Sequence, residues 1–476
     1  MTSNLDQTNE SKSINRVPLL IVLISGAFVA ILNQTLLATA LPKIMVDLAL
    51  EPNTVQWLQS IFMLVNGIMI PITAFLIEKF TTRRLFITAM GLFGLGTLVA
   101  ALAPGFSALM VGRILQASGA GIMMPLMQTI LFIIFPVEKR GAAMGMFGLV
   151  IAFAPAIGPT LSGWLIDQFP WRSLFYVILP IVIIDIIVAY FILQNVTERK
   201  SPKLDSLSII LSTFGFGGLL YGFSIAGNTG WSSWTVIISL TVGVISLTTF
   251  IMRQSTLEQP ILNFYVFKNK VFTITTVLGM VVFIAMIGGA VILPLLTQDM
   301  LGYTATQSGL MLMPGAIIMG FMNPITGRLF DKFGARWLAI IGLIIVTIST
   351  FAFSDLSTET TITYLTMMHA FRMFGVSMVM MPVTTAGLNQ LPPDLIPHGT
   401  AMNNTMRQIA GAMGTALLVS VMTNSAIPAD GIDGAIHGVN VSFTVAGVIS
   451  IVGLVLSFFV KSKKQLEREN ITRIQS

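Results

Sequence analysis

From position 17 onward the chain alternates between long apolar stretches and short clusters of Gly, Pro and charge. Val17 to Leu32, Leu85 to Leu102 and Phe175 to Leu193 each approach the ~20 residues that carry a helix across ~30 Å of hydrocarbon. With Gly, Pro and charge as punctuation, the pattern predicts fourteen helical spans. They lie near 17–41, 54–77, 84–104, 106–134, 141–166, 173–194, 205–226, 234–253, 271–297, 305–328, 335–354, 360–383, 399–425 and 440–460. An even number places both ends on one side of the membrane. Strands of a membrane barrel alternate and are about half as long, so a barrel is excluded.

Composition agrees: 54% of the residues are hydrophobic and 10% charged, whereas soluble proteins carry about a quarter charged. The fold class is an all-α polytopic membrane protein. The first sixteen residues are polar and too acidic for a signal-peptide head, and no small-residue cleavage site follows, so the first apolar run is read as a retained span. With no cysteine, disulfides, thiolate metal sites and thiol nucleophiles are out of reach.

The net charge of +6 suggests nucleic acid until its placement is considered. Of the 26 Lys and Arg, 21 fall in the tails and in every second loop: Lys12, Arg16; Lys79, Arg83, Arg84; Lys139, Arg140; Arg199, Lys200, Lys203; Arg253, Lys268, Lys270; Arg328, Lys332, Arg336; Lys461, Lys463, Lys464, Arg468, Arg473. Only Lys43 and Arg172 occupy the alternate loops. By the positive-inside rule both termini are cytoplasmic and the basic excess is topology. Arg113, Arg372 and Arg407 remain, inside spans.

The loop after the second span, AFLIEKFTTRR (74–84), and the loop after the tenth, GRLFDKFGARW (327–337), share a frame: a small residue, Leu two on, an acid at the fifth position, Lys, Phe and a distal Arg. They are 253 residues apart. A second pair, Arg113 in GRILQASGAG and Arg372 in FRMFGVSM, is 259 apart. Two similar offsets point to a duplication of six spans with two extra spans between the copies, an arrangement that recurs in transporters with a midplane site between the halves. The competing reading is convergence on basic cytoplasmic turns.

At these residues the chain resembles the major facilitator superfamily, and more closely the fourteen-span drug:proton antiporters of the QacA and EmrB type. GRLFDKFGAR is similar to the superfamily's signature loop, while its first copy has Ala74, Glu78 and Thr81 where Gly, Asp and Gly are usual, which relaxes the tight turn. LNQTLLATALP (32–42), LMVGRILQASGAG (109–121), APAIGPTLSG (154–163), PWRSLFYVILP (170–180), LPLLTQDMLGYTATQSGLMLMP (293–314) and MRQIAGAMGTAL (406–417) resemble family segments in order and spacing. The resemblance implies a tail at 1–16, a six-helix bundle at 17–198, two inserted helices with their loops at 199–270, a second six-helix bundle at 271–460 and a tail at 461–476. It implies switch loops built from Glu78, Arg84, Gly327, Asp331, Gly334 and Arg336, and an antiporter-motif helix carrying Pro155, Gly158, Pro159 and Gly163. The family commonly has an acid after the Leu of its first-helix motif; here that position is Asn33.

Charges in a bilayer cost roughly 3 kcal/mol on insertion scales, so those present face protein or water. Arg113 has Gln116 near the same face; the resemblance puts its helix on the central cavity and implies a coupling or gating residue, against a structural arginine tied to carbonyls. Asp185 is the one carboxylate near the middle of a span and on chemical grounds a proton carrier, yet the resemblance puts its helix at the periphery, where it would be a neutral hydrogen-bonding acid. His369, whose side-chain type titrates near physiological pH, shares a face with Arg372 and is the next proton candidate. Asn33, Gln34, Gln116, Arg372, Asn404 and Arg407 are expected to line a substrate cavity. Asn33 and Gln34 cannot both face it squarely, since consecutive helical residues point about 100° apart; interhelical hydrogen bonding is the alternative for Asn33. Pro155 and Pro159 remove backbone donors and bend the fifth span, while Gly158, Ser162 and Gly163 permit close contact: either a moving helix or a static packing kink.

The expected function is proton-coupled export of lipophilic, often cationic drugs by alternating access, conferring antibiotic resistance from the bacterial plasma membrane. Export of one metabolite, lipid or peptide is the alternative. No Walker loop, paired catalytic carboxylates, metal cluster or Ser/His/Asp set is evident, which argues against an enzyme and against nucleotide drive. No cofactor is expected; the partners are drug-like molecules, protons and lipid, not nucleic acid, and the chain is expected to be a monomer.

Overall fold

The computed structural model describes residues 16–197, 200 and 204–461. The tails and most of loop 198–203, with Lys12, Arg199, Lys203, Lys463, Lys464, Arg468 and Arg473 of the topology argument, lie outside the described residues. Fourteen α-helices and no strands occur among the described residues. They are α1 (Arg16–Asp47), α2 (Pro52–Lys79), α3 (Thr82–Ala101), α4 (Phe106–Ile134), α5 (Arg140–Gln168), α6 (Ser173–Ile192), α7 (Ser206–Thr229), α8 (Trp234–Thr256), α9 (Lys270–Leu295), α10 (Ala305–Phe333), α11 (Ala335–Phe351), α12 (Ile362–Leu388), α13 (Ile396–Ser425) and α14 (Gly431–Ser457).

All fourteen predicted spans are helices. Twelve are long and apolar enough to cross a membrane on those criteria alone. The others are α11, at 17 residues, and α13, whose first half carries His398, Asn403, Asn404, Arg407 and Gln408. Boundaries shift most at polar ends: α1 passes Pro42 to reach Asp47, and α14 starts at Gly431 rather than 440. Hydropathy does not register helical turns that stand in the interface.

The helices form two six-helix bundles and an inserted pair. In the first bundle α3 packs on α4 and α6, α2 on α4, and α1 on α5 and α6. In the second α12 packs on α9, α10 and α11, and α14 on α9, α11 and α13. The bundles meet mainly along α5 and α10, with α2 and α4 against α13. Of the inserted pair, α8 packs chiefly on α7, while α7 lies on both α2 and α13 and so touches both bundles.

Small residues set the register inside each bundle, as expected where lipid supplies no hydrophobic drive between helices. A Cβ on Gly119 of α4 would stand 2.3 Å from the Ala89 carbonyl oxygen of α3, and one on Gly375 of α12 would stand 2.8 Å from that of Gly342 on α11. Ala89 and Gly342 are 253 residues apart, matching the loops, but Gly119 and Gly375 are 256 apart. The connection from α3 to α4 spans Leu102–Gly105 and that from α11 to α12 spans 352–361, and the longer link shifts the register. The counterpart of Arg113 is therefore His369, not Arg372; Arg372 stands where the first bundle has Gln116.

Candidate functional site: a cavity between the bundles

A cavity of about 1050 Å³ lies between the two bundles. Its lining runs from the outer ends of the helices, at Thr39, Trp164, Asp167, Ala305 and Thr306, inward to Ile70, Ile151, Met319 and Asn404. Given cytoplasmic termini, it opens to the outside. The wall is mostly apolar, with Trp57, Phe62, Phe283, Met63, Met124, Met286 and Met313 among its members, and carries a few polar groups: Gln34, Asn66, Tyr221, Ser224, His369, Asn404, Arg407 and Gln408. The inserted α7 contributes Leu220, Tyr221 and Ser224; Tyr221 stacks on Trp57 of α2 with centroids 5.8 Å apart.

The cytoplasmic side is shut by a tight seam. The carbonyl oxygens of Gly141 on α5 and Gly327 on α10 stand where each other's Cβ would be, at 2.2 and 2.4 Å, so only glycine fits at both places. Asp331 accepts the backbone N–H groups of Gly141 (2.8 Å) and Ala142 (2.9 Å) at the start of α5. A carboxylate there satisfies otherwise unpaired donors and meets the positive end of the helix. Arg140 Nη1 donates to Asn389 Oδ1 at 3.0 Å, Asn404 Nδ2 to Gln128 Oε1 at 2.7 Å, and Thr129 pairs with Thr400 at 2.8 Å. In the opposite loop, Glu78 lies 2.6 Å from Lys200 and 3.5 Å from His398 Nε2 at the start of α13.

Gln34, Asn404 and Arg407 stand on the cavity wall, together with His369, Pro155, Pro159 and Gly163. Asn33 is buried (2% exposed) outside the lining. The adjacent Thr35 donates to its own helix at Leu32 and lies against Gly158 of α5, where a Cβ would meet its Oγ1 at 2.1 Å. Thus Asn33, Gln34 and Thr35 turn to three directions, and only Gln34 reaches the cavity. Gly163 has no neighbour within 4 Å of a would-be Cβ, so it opens the wall rather than permitting a helix contact.

Gln116 and Arg372, expected on the wall, are behind it. Arg113 is fully buried: Nε donates to the Leu58 carbonyl of α2 (3.0 Å), Nη1 to Gln116 Oε1 (2.9 Å), and its guanidinium lies 4.2 Å from the centroid of Phe62, which itself faces the cavity. Gln116 Nε2 donates onward to Thr97 of α3 at 2.9 Å. Arg372 turns instead toward α9, covering Gly289, with Phe353 and Phe443 rings 5.6 and 6.0 Å away. His369, three residues earlier, lies against Gly315 of α10. The shared face predicted for the pair is split because α12 is wrapped by α9, α10 and α11 at once.

Asp185 is buried between α6 and α1, where Ser25 donates to Oδ1; it does not reach the cavity. In the switch loops, Gly334 has φ 81°, a left-handed conformation that suits glycine, whereas its counterpart Thr81 has φ −68° and caps α3 by accepting the Arg84 N–H at 3.3 Å. Arg84 is exposed; the engaged neighbour is Arg83, whose Nε donates to the Leu193 carbonyl at 2.6 Å. Arg336 is half-buried at the head of α11.

Trp57, Tyr221, Asn66, Phe283 and Gln408 on the wall were not singled out from the sequence. An aromatic residue within an apolar span carries no signal of the direction it faces.

The family model for the Major Facilitator Superfamily matches residues 23–415. The chain belongs to the major facilitator superfamily. It is 57% identical to YcnB, an uncharacterised transporter of this superfamily from Bacillus subtilis (strain 168), over 96% of this chain and 97% of that one. It is 44% identical to the lincomycin resistance protein LmrB of the same organism, over 95% of this chain and 98% of that one. To the multidrug export protein EmrB of Haemophilus influenzae it is 29% identical over 84% and 79% of the two chains. Among solved structures, the human organic anion transporter MFSD10 superposes with a TM-score of 0.69 over 93% of this chain and 99% of that one, at 13% identity, and so shows the fold alone. This superfamily member is of the EmrB and QacA type, a multi-pass plasma-membrane transporter rather than an enzyme.

Proposed function

We propose that this transporter expels lipophilic small molecules from the cytoplasm in exchange for entering protons. The observation that carries the reading is the large, mostly apolar cavity, open outward above a closed cytoplasmic seam. Such a state releases cargo outside and loads a proton there. One proton entering across ~100 mV and one pH unit supplies about 2.3 plus about 1.4 kcal/mol, enough for a gradient of several hundredfold. Aromatic and Met side chains on the wall adapt to varied ligands, which favours several cargoes over one dedicated metabolite, lipid or peptide.

His369 is the better-placed proton carrier. A coupling site must be reached by water or substrate in each state, and His369 stands on the cavity wall while Asp185 is enclosed between α1 and α6. Arg113, its counterpart in the first bundle, sits behind Phe62 and acts on α2 through the Leu58 carbonyl. Among the described residues only Asp167, at the mouth, offers the cavity a carboxylate, so the cationic part of the expected cargo finds no partner at depth there. Reconstitution in proteoliposomes tests the exchange: efflux of a lipophilic dye is expected to accelerate with an imposed pH gradient, and efflux indifferent to that gradient removes the proton from the mechanism.

A further inference from the structure

Arg407 on α13 faces the cavity from its inner half. It is 6% exposed, and its Nε and Nη1 have no hydrogen-bond partner among the described residues. Its guanidinium rests 5.4 Å from the centroid of Phe283, another wall residue. Asn404, one turn earlier, donates its amide nitrogen to Gln128 and to the Thr400 carbonyl, and no hydrogen bond from Arg407 to its amide oxygen occurs among the described residues. No ion pair is formed by Arg407, nor by Arg113 or Arg372 behind the wall, among the described residues. The one carboxylate on the lining among the described residues, Asp167, stands at the outer mouth with its side chain 74% exposed and Lys43 at 3.6 Å. The deep cavity thus has a positive field, an apolar body and a guanidinium with open donors.

Resting on the export reading above, we propose that the preferred cargo is a lipophilic organic anion, an apolar body bearing one carboxylate, sulfonate or phosphate group that seats against Arg407. A planar guanidinium pairs with such oxygens through two parallel N–H···O bonds, and a low-dielectric wall strengthens them. Phe283 and the stacked Trp57 and Tyr221 provide the apolar remainder of the contact. Charge movement fits the direction of transport: an anion leaving an inside-negative cell is driven outward by about 50-fold per 100 mV for each charge, beyond what the proton adds.

The test uses a matched dansyl series: 11-(dansylamino)undecanoate, its neutral carboxamide and the corresponding amine, titrated by fluorescence against the full chain in nanodiscs. Wild-type protein is expected to bind the carboxylate at least fivefold more tightly than the carboxamide and the amine least. Arg407→Gln should bring the carboxylate and carboxamide affinities together, chiefly by weakening the carboxylate; Arg407→Lys should keep part of the preference. Retained carboxamide binding reports an intact cavity. Tighter binding of the amine, or a carboxylate preference unchanged in Arg407→Gln, overturns the proposal. Efflux of the neutral carboxamide from proteoliposomes under a pH gradient separates the two layers. If it is exported but no charge preference is found, this inference fails alone. If nothing moves while the Arg407-dependent preference is present, the export reading fails and the anion site stands.

Discussion

Arg113 and His369 hold the same station in the two bundles, yet their surroundings give them different work. Arg113 is tied on one side to the Leu58 carbonyl and on the other to Gln116, which is tied in turn to Thr97, so that α2, α3 and α4 are joined through one cation. Replacing Gln116 by Leu strands a buried charged donor, a loss of about 1–3 kcal/mol. The Gln116→Leu variant should therefore unfold several degrees lower in detergent, with substrate affinity little changed because Gln116 does not touch the cavity. His369 makes no such tie: its Nδ1 has no partner among the described residues, and it faces the cavity. His369→Gln should abolish stimulation of efflux by a pH gradient, whereas Asp185→Asn, which keeps a hydrogen-bonding partner for Ser25, should retain it. Full coupling in His369→Gln, or its loss in Asp185→Asn alone, would reverse the assignment.

At the scale of helices, the cytoplasmic seam is a contact of backbones. Gly327→Val forces a side chain into the Gly141 carbonyl and should push α5 from α10, favouring the inward-facing state. Thiol labelling of Thr400→Cys, buried against Thr129 on the closed side, is expected to be faster in that background than in the same cysteine variant with Gly327 intact; equal rates would mean the seam is not the closed gate. The inserted pair has its own fastening: the Arg253 guanidinium, donating at 2.6 and 3.0 Å, holds the Asp205 carboxyl down to about 2. Because the folded value is depressed, this contribution is complete above the ordinary carboxylate range near 4 and fades as pH falls toward 2. The thermal destabilisation of Asp205→Asn should be constant from pH 7 to 5 and shrink below pH 4. The number, order and sidedness of these elements were legible because burial in lipid demands long apolar runs and loop charge reports orientation. Rotation of each helix about its axis was not. A face against lipid and a face against another helix are both apolar, so nothing distinguished Asn33 from Gln34 as the cavity residue, or showed Tyr221 on an inserted span reaching the substrate path. The Arg113–Arg372 pairing failed for a related reason: a three-residue shift in a connection, just under one turn, leaves two candidates on almost the same face.

The whole molecule is two similar bundles hinged across a cavity, with α7 as a wall that spans the gap from α2 to α13. The same acid position serves both loops: Asp331 grips the first turn of α5, and Glu78 approaches His398 in the first turn of α13, each reaching across to the other bundle. Tight backbone contact on one side and an open cavity on the other are what alternating access requires of a single state; its complement must exchange them. The absence of native cysteine makes the direct test clean. Spin labels on Asp167→Cys with Thr306→Cys would report the outer mouth, and on Glu138→Cys with Lys332→Cys the cytoplasmic seam, by electron–electron distance measurement in nanodiscs as pH is lowered and substrate added. The two distances are predicted to change in opposite directions. A mouth and a seam that both stay fixed, or that widen together, while transport proceeds would contradict the account.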